Sequence, residues 1–303
     1  MTDLHTRLAI ALPGDFRHAD VLRFYARDRE QVSECTQDQR IEKALHWQGQ
    51  PALLQLDLGA PDTARAVLKG AEADPAQLQD QLHSMLGLKQ DITSLHAAHG
   101  SHPDIARLLT YTPGLRMPQS ASPFEAACWA VIGQMISVEA AISVRRKLIR
   151  QLGTPLANGM ICHPLPEQLL AASPEQLRSC GLSASKAATL IRLAGAVESG
   201  ALPLDHWATL PQPPADEISA ALSQIKGIGP WTQSYILLRG YGALDGSLHG
   251  DVVVRKRLGA LLNLPEPPDQ AFTQQWLSQF APWRALVAAH LWAMPTDTPT
   301  KDY

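Results

Sequence analysis

The segment Ile225 to Thr232 reads IKGIGPWT, and it constrains the fold more than any other stretch of the chain. Upstream, DEISAALSQIKG (216–227) has the apolar spacing of a helix, and so has PWTQSYILLRG (230–240) downstream. Only Gly227, Ile228 and Gly229 lie between the two patterns, so two helices must fold back on each other in a tight hairpin. Glycine in such a turn admits positive φ and, lacking Cβ, lets another backbone come close. Pro230 suits the first position of the second helix, whose free N–H groups and positive dipole end then face the turn. A helix end of this kind grips phosphate without reading sequence. A plain corner between two packed helices would satisfy the same Gly-x-Gly pattern.

Before this hairpin the chain changes texture once. RIEKALHWQGQPALLQLDL (40–58) reads as a β-hairpin, punctuated by Gly49 and Pro51, with Leu54, Leu56 and Leu58 alternating with Gln55 and Asp57. Helical segments are expected around it, at DTARAVLKGAEA (62–73) and DPAQLQDQLHSMLGL (74–88). The second of these carries a capping box of Asp74 and Gln77 with Pro75 at the first helical position. From TYTPGLRMPQSA onward only helices are expected. SPFEAACWAVIGQ opens with a capping box of Ser122 and Glu125, SVEAAISVRRKLIRQLG closes at Gly153, and SPEQLRSCG pairs Ser173 with Gln176 and ends at Gly181. WRALVAAHLWAM is the last helix, and a short polar tail follows. The expectation is a mostly α protein: an N-terminal α+β domain (1–105), an antiparallel sheet flanked by helices, and then a two-lobed helical domain (106–303). The hairpin spans about 218–240 of the latter and a loop, 245–251, follows it.

Composition excludes several classes. A hydrophobic fraction of 45% and a charged fraction of 18% belong to a folded globular chain. No apolar run approaches the roughly 18 residues of a membrane span, so no membrane partner is expected. The four cysteines, Cys35, Cys128, Cys162 and Cys180, form no C-x-x-C pair, and a reducing cytoplasm is the expected compartment. Net charge is −3, yet Ser219 to Leu258 holds five basic residues (Lys226, Arg239, Arg255, Lys256, Arg257) against Asp245 and Asp251. A local basic region on an acidic chain fits contact with phosphate.

IKGIGPWT is followed by LHGDVVVRKRL, and the pair resembles the helix-hairpin-helix Gly/Pro-Asp DNA glycosylase superfamily, in which a catalytic aspartate follows the hairpin. TPGLRMPQSASPFEAACWAVIGQMISVEAA and APWRALVAAHLW resemble its alkylation-repair branch, the 3-methyladenine DNA glycosylase II type. DFRHADVLRFYARD and ALLQLDLG match more loosely. The resemblance implies a fold, a helix-hairpin-helix glycosylase body behind an N-terminal α+β domain, and a set of roles. Asp251 is the catalytic carboxylate. Trp231, Tyr235 and Trp292, with Phe24 from the N-terminal domain, line a pocket for a flipped base. Gly227, Gly229, Thr232 and Lys226 hold DNA phosphates, and Gln134 or Met135 plugs the gap left by the base. Carbonyls of Ser223, Ile225 and Ile228 would bind a structural Na+ or K+.

Bifunctional relatives carry a lysine where Trp231 stands, so the expected enzyme is monofunctional. It would hydrolyse the N-glycosidic bond of alkylated bases in duplex DNA, the first step of base excision repair, and leave the strand uncut. Core aromatic packing remains the alternative for Trp231 and Trp292. No required cofactor is expected, and no iron–sulfur cluster, since no cysteine follows Cys180. The expected state is a monomer associated with the nucleoid. Gly250 and Val252 depart from the branch's pattern and leave the range of bases open. The competing readings are a non-catalytic hairpin module that binds DNA and a glycosylase for deaminated or oxidised bases.

Overall fold

The computed structural model describes residues 5–295; most of the polar tail, residues 296–303, lies outside the described residues. In chain order the elements begin with β1 (His5–Ala11), α1 (His18–Tyr25), β2 (Glu34–Gln37), β3 (Arg40–Trp47), β4 (Gln50–Asp57) and β5 (Thr63–Lys69). Five helices follow: α2 (Pro75–Met85), α3 (Thr93–His99), α4 (Pro103–Tyr111), α5 (Pro123–Gly133) and α6 (Val138–Leu152). After a short hairpin of β6 (Thr154–Pro155) and β7 (Ile161–Cys162) come α7 (Pro166–Ala171), α8 (Pro174–Ser179), α9 (Ala184–Glu198) and α10 (Leu204–Ala208). The chain continues through α11 (Ala215–Ser223), α12 (Pro230–Tyr241), α13 (Val252–Leu261), α14 (Gln270–Ser278) and α15 (Arg284–Ala293).

The sheet is antiparallel with strand order β1-β5-β4-β3-β2. The β3–β4 hairpin turns through Gln48 and Gly49 at φ 49° and 78°, the left-handed pair that matches the twist of two-residue hairpins. One sequence expectation fails next to it. Residues 62–73 form no helix; Thr63–Lys69 is β5, paired with both β1 and β4. Ala64, Ala66 and Leu68 alternate into the core at 1% exposure or less. Alanines weaken the contrast between the strand's two faces and favour helix locally, and pairing on both edges overrides that preference.

The helices-only expectation for the rest of the chain also needs correction, because β6 and β7 pair within it. Cys162 and Met160 pack there against Ala44 of β3, which ties the sheet to the helical body. Two of the three expected capping boxes are half-formed. Asp74 and Ser122 each accept the expected backbone N–H bonds. Gln77, however, accepts a bond from the Gln48 side chain, and Glu125 turns inward to Lys43 and Arg145. Only Ser173–Gln176 closes the reciprocal box.

Three apolar cores organise the molecule. The first joins the sheet, α1 and α2 within residues 10–86. The second is built by α5 to α12. The third brings residues 92–117 together with 238–294, so α3 and α4 pack with the C-terminal helices. Tyr235 of α12 packs against both the second and the third core.

Candidate active site

The hairpin forms as the sequence implies: α11 ends at Ser223, α12 begins at Pro230, and Gly229 is its N-cap residue. The two glycines serve different ends. Gly227 has φ +104°, and a Cβ there would lie 2.1 Å from Thr189 Oγ1 on α9. Its lack of a side chain is therefore a requirement of the fold. Gly229 has φ −93°, an ordinary conformation, and nothing lies within 4 Å of where its Cβ would stand. The fold needs no glycine there, so the open space over the α12 N-terminus is available to a ligand approaching from outside. No side chain caps that helix end.

Asp251 is the N-cap residue of α13. Its Oδ1 accepts the backbone N–H groups of Val253 (2.9 Å) and Val254 (3.0 Å). Both indoles named from the sequence also converge on it: Trp231 Nε1 donates to Oδ2 at 3.0 Å and Trp292 Nε1 donates to Oδ1 at 3.3 Å. One carboxylate thus collects four N–H donors and the positive end of a helix dipole. Tyr235 completes the aromatic group, its ring centroid 5.3 Å from Trp231 and 6.3 Å from Trp292. All three aromatic residues and Asp251 are only half-buried, so the cluster borders open space at the junction of two helical cores. Val252, one residue along, is 53% exposed. His249 bonds Ser247 Oγ, and burial lowers its pKa, with Arg284 adding to the effect.

Phe24 is buried, and among the described residues no ring contact joins it to Trp231, Tyr235 or Trp292. Its ring touches Tyr25 and the guanidinium groups of Arg27 (4.0 Å) and Arg239 (4.7 Å). Trp129, which sequence reasoning missed, closes the gap: Arg27 also lies 4.7 Å from its ring, and its Nε1 donates to Tyr235 Oη at 2.8 Å. No local pattern in EAACWAVIG marks Trp129, because its partners Arg27 and Tyr235 lie far away in the sequence.

The remaining predicted residues divide. Gln134 donates from Nε2 to the Gly227 carbonyl (2.9 Å) and to Thr232 Oγ1 (3.0 Å), which locks the loop after α5 onto the hairpin. Thr232 is buried, its hydroxyl taken up by Gln134. Met135, beside Gln134, is fully exposed and held at φ 56°. Lys226 is exposed, and its carbonyl accepts from Arg192 and Thr189. Of the five basic residues of the 219–258 region, Arg239 and Arg257 are buried, so the basic surface is narrower than the sequence suggests. Among the described residues the Ser223 carbonyl accepts no hydrogen bond, the Ile225 carbonyl accepts one from Ile228 N, and the Ile228 carbonyl one at 3.5 Å from Gln233. These oxygens have lone pairs to spare. No group of His, Cys, Asp or Glu side chains suited to a metal ion occurs among the described residues.

A hairpin with an open helix end, followed by an aspartate on the next helix N-terminus, defines a class. Residues 128–282 match the HhH-GPD superfamily of base excision DNA repair proteins, and the chain belongs to that family. Among curated proteins it is 29% identical over 239 residues to DNA-3-methyladenine glycosylase 2 of Escherichia coli K12, covering 77% of this chain and 78% of that protein. It is 24% identical over 214 residues to DNA-3-methyladenine glycosylase of Bacillus subtilis 168, covering 70% of each. In three dimensions it resembles a 3-methyladenine DNA-glycosylase from Archaeoglobus fulgidus with a TM-score of 0.79 at 21% identity, covering 94% of this chain and 98% of that one. The Schizosaccharomyces pombe 3-methyladenine DNA glycosylase Mag1, solved with abasic DNA, matches 66% of this chain and 95% of its own at a TM-score of 0.57 and 27% identity. No helix among the described residues is long and apolar enough to cross a membrane.

Proposed function

We propose that this protein is a monofunctional DNA glycosylase that removes alkylated purines, of the 3-methyladenine and 7-methylguanine type, from duplex DNA. The observation that carries the reading is the Asp251 carboxylate held by two indole N–H groups at an aromatic cluster. Cleaving an N-glycosidic bond leaves positive charge on the sugar, and a fixed anion beside it lowers the barrier. With Oδ1 occupied by three donors, Asp251 is better suited to electrostatic stabilisation than to pulling a proton from water; Oδ2, with one donor, keeps a lone pair that orients the water.

An alkylated purine carries positive charge and binds over indole faces, with about 2 kcal/mol gained when desolvated. It is also a good leaving group. Met135 is the plug that fills the gap in the helix, because Gln134 is already engaged in anchoring the loop. Phosphates sit over Gly229 and the α12 N-terminus. Trp231 offers no amine for a Schiff base, so the strand stays intact after the base leaves. The glycosylases named among the relatives support the substrate class. A monovalent ion on the Ser223, Ile225 and Ile228 carbonyls would stiffen the hairpin and take no part in the chemistry.

The test is base release. Wild type and Asp251→Asn are incubated with methylated duplex DNA, and free base and strand breaks are assayed. Release by wild type alone, with strands intact until alkali treatment, is the expected result. No release from either protein overturns the assignment.

A further inference from the structure

Arg27 follows α1 and stands between two rings, 4.0 Å from the Phe24 centroid and 4.7 Å from that of Trp129. Its Nε donates to the Phe24 carbonyl at 2.8 Å. Among the described residues no acceptor bonds its two terminal nitrogens, and the residue is half-buried. A guanidinium stacked on aromatic faces keeps its N–H groups in its own plane, directed out of the stack. The neighbouring Arg239 is different: it is buried, and its Nη1 is committed to the Pro118 carbonyl.

Trp129 connects this cation to the aspartate. Its indole donates to the Tyr235 hydroxyl, Tyr235 packs on Trp231 and Trp292, and both of those donate to Asp251. The aromatic cluster is thus continuous from Asp251 to Arg27. Its far end is fixed by the N-terminal domain and carries donors with no acceptor.

We propose that Arg27 is a specificity-determining residue that recognises an acceptor on the flipped base, a carbonyl oxygen such as O6 of 7-methylguanine. This rests on the reading of the Asp251 cluster as the base pocket. A base that presents an exocyclic amine at the same place, as 3-methyladenine does, meets donors with donors and gains nothing from the contact. The positive charge of Arg27 also works against a cationic base unless an acceptor compensates. The pocket therefore ranks bases by their hydrogen-bonding edge as well as by their charge.

DNA treated with dimethyl sulfate carries both bases in one substrate and serves as the probe. Initial release of 7-methylguanine and 3-methyladenine is measured for wild type, Arg27→Met and Arg27→Lys. The methionine variant keeps an apolar stem between the rings and lacks donors; the lysine variant keeps the charge and some donor capacity. Losing one charged hydrogen bond is expected to reduce 7-methylguanine release about tenfold or more in Arg27→Met, with 3-methyladenine release changed less than about threefold. Arg27→Lys should recover part of the difference. A parallel fall in both bases, or an unchanged ratio in both variants, overturns the proposal, since a merely structural residue would not alter selectivity. If Arg27→Met does not fold, the ratio in Arg27→Lys decides alone, and a wild-type ratio there rejects the proposal. Release of neither base by wild type overturns the underlying glycosylase reading as well, and that failure is visible before any variant is compared.

Discussion

Trp231 donates its indole N–H to Oδ2 of Asp251 across 3.0 Å, so the wall of the aromatic cluster and the carboxylate form one unit. The ring packs beside Tyr235 while its edge aims the acid. Trp231→Phe keeps most of the ring and removes the donor. A hydrogen bond to a charged group is worth about 1.5–3 kcal/mol, so single-turnover base release should fall roughly 10- to 100-fold. Binding of the same duplex should change little. An equal loss in binding and release would mean that the indole only fills space.

The two hairpin glycines should separate cleanly. Gly227→Ala places a methyl group 2.1 Å from Thr189 Oγ1 on a backbone at φ +104°, and a marked fall in thermal stability is expected. Gly229→Ala meets nothing within 4 Å and should cost no more than about 1 kcal/mol, the difference between glycine and alanine as an N-cap, while weakening DNA binding, because the methyl group occupies the approach to the α12 N-terminus. Calorimetry and a binding titration on each variant check both halves. Unchanged binding in Gly229→Ala would remove the phosphate from that helix end.

Met135→Ala removes a side chain that makes no use of the core, being fully exposed. Stability should hold, while release of a base from a stable duplex drops and release from an unpaired or mismatched site drops less, since less stacking has to be replaced. Gln134→Ala is the contrasting case. It cuts the bonds to Gly227 and Thr232, and it should loosen the hairpin and lower affinity on every substrate alike.

The hairpin is legible in the sequence because the turn needs a glycine at 227, where φ is +104°, and Pro230 suits a helix start, whereas Asp251 is legible only through the resemblance to the glycosylase superfamily. Trp231 and Trp292 were named from motifs 61 residues apart in number, yet their convergence on one carboxylate comes only from the packing of α12, α13 and α15. β5 reads as helix in the sequence because Ala64 and Ala66 give little contrast between a strand's two faces. Glu125 was assigned to a cap that its own side chain abandons. What draws it away is Lys43, 82 positions earlier in the chain, and no local pattern can show that. Arg27 and Trp129 were missed for the same reason: the contact joins the two domains.

That domain contact yields a pH prediction. Lys43 bonds Glu34 (2.9 Å) and Glu125 (3.0 Å), and Arg145 bonds the same two carboxylates (2.8 and 2.6 Å), all of them buried. Burial alone would raise the pKa of Glu34, but Arg145 and Lys43 outweigh it and hold the pKa at about 2; Glu125 is likewise held low, by Lys43 and Arg145 against its burial. Burial holds His163 at about 4, below its usual 6.5. All three folded-state values lie below the unfolded ones, so their contribution to stability is present above the unfolded values and lost on acidification. Melting temperature should fall as pH drops from 6.5 toward 4 through His163, and further from 4.5 toward 2 through Glu34. Lys43→Met leaves two buried carboxylates with one cation and should cost about 3–5 kcal/mol at neutral pH. A melting temperature unchanged between pH 7 and 4 would contradict the assignment.

On the proposed function, Asp251 performs chemistry in addition to capping α13. Asparagine caps a helix about as well as aspartate, so Asp251→Asn removes the charge and spares the cap. The decisive measurement pairs a binding titration with single-turnover release on one duplex containing 7-methylguanine, for wild type and Asp251→Asn. Expected are a modest fall in melting temperature, since asparagine has one acceptor oxygen and its amide N–H groups face an indole donor, similar binding, and release lost by at least about a hundredfold, the scale of a single preorganised electrostatic contact. Release by Asp251→Asn at close to the wild-type rate would contradict it and leave Asp251 a helix cap.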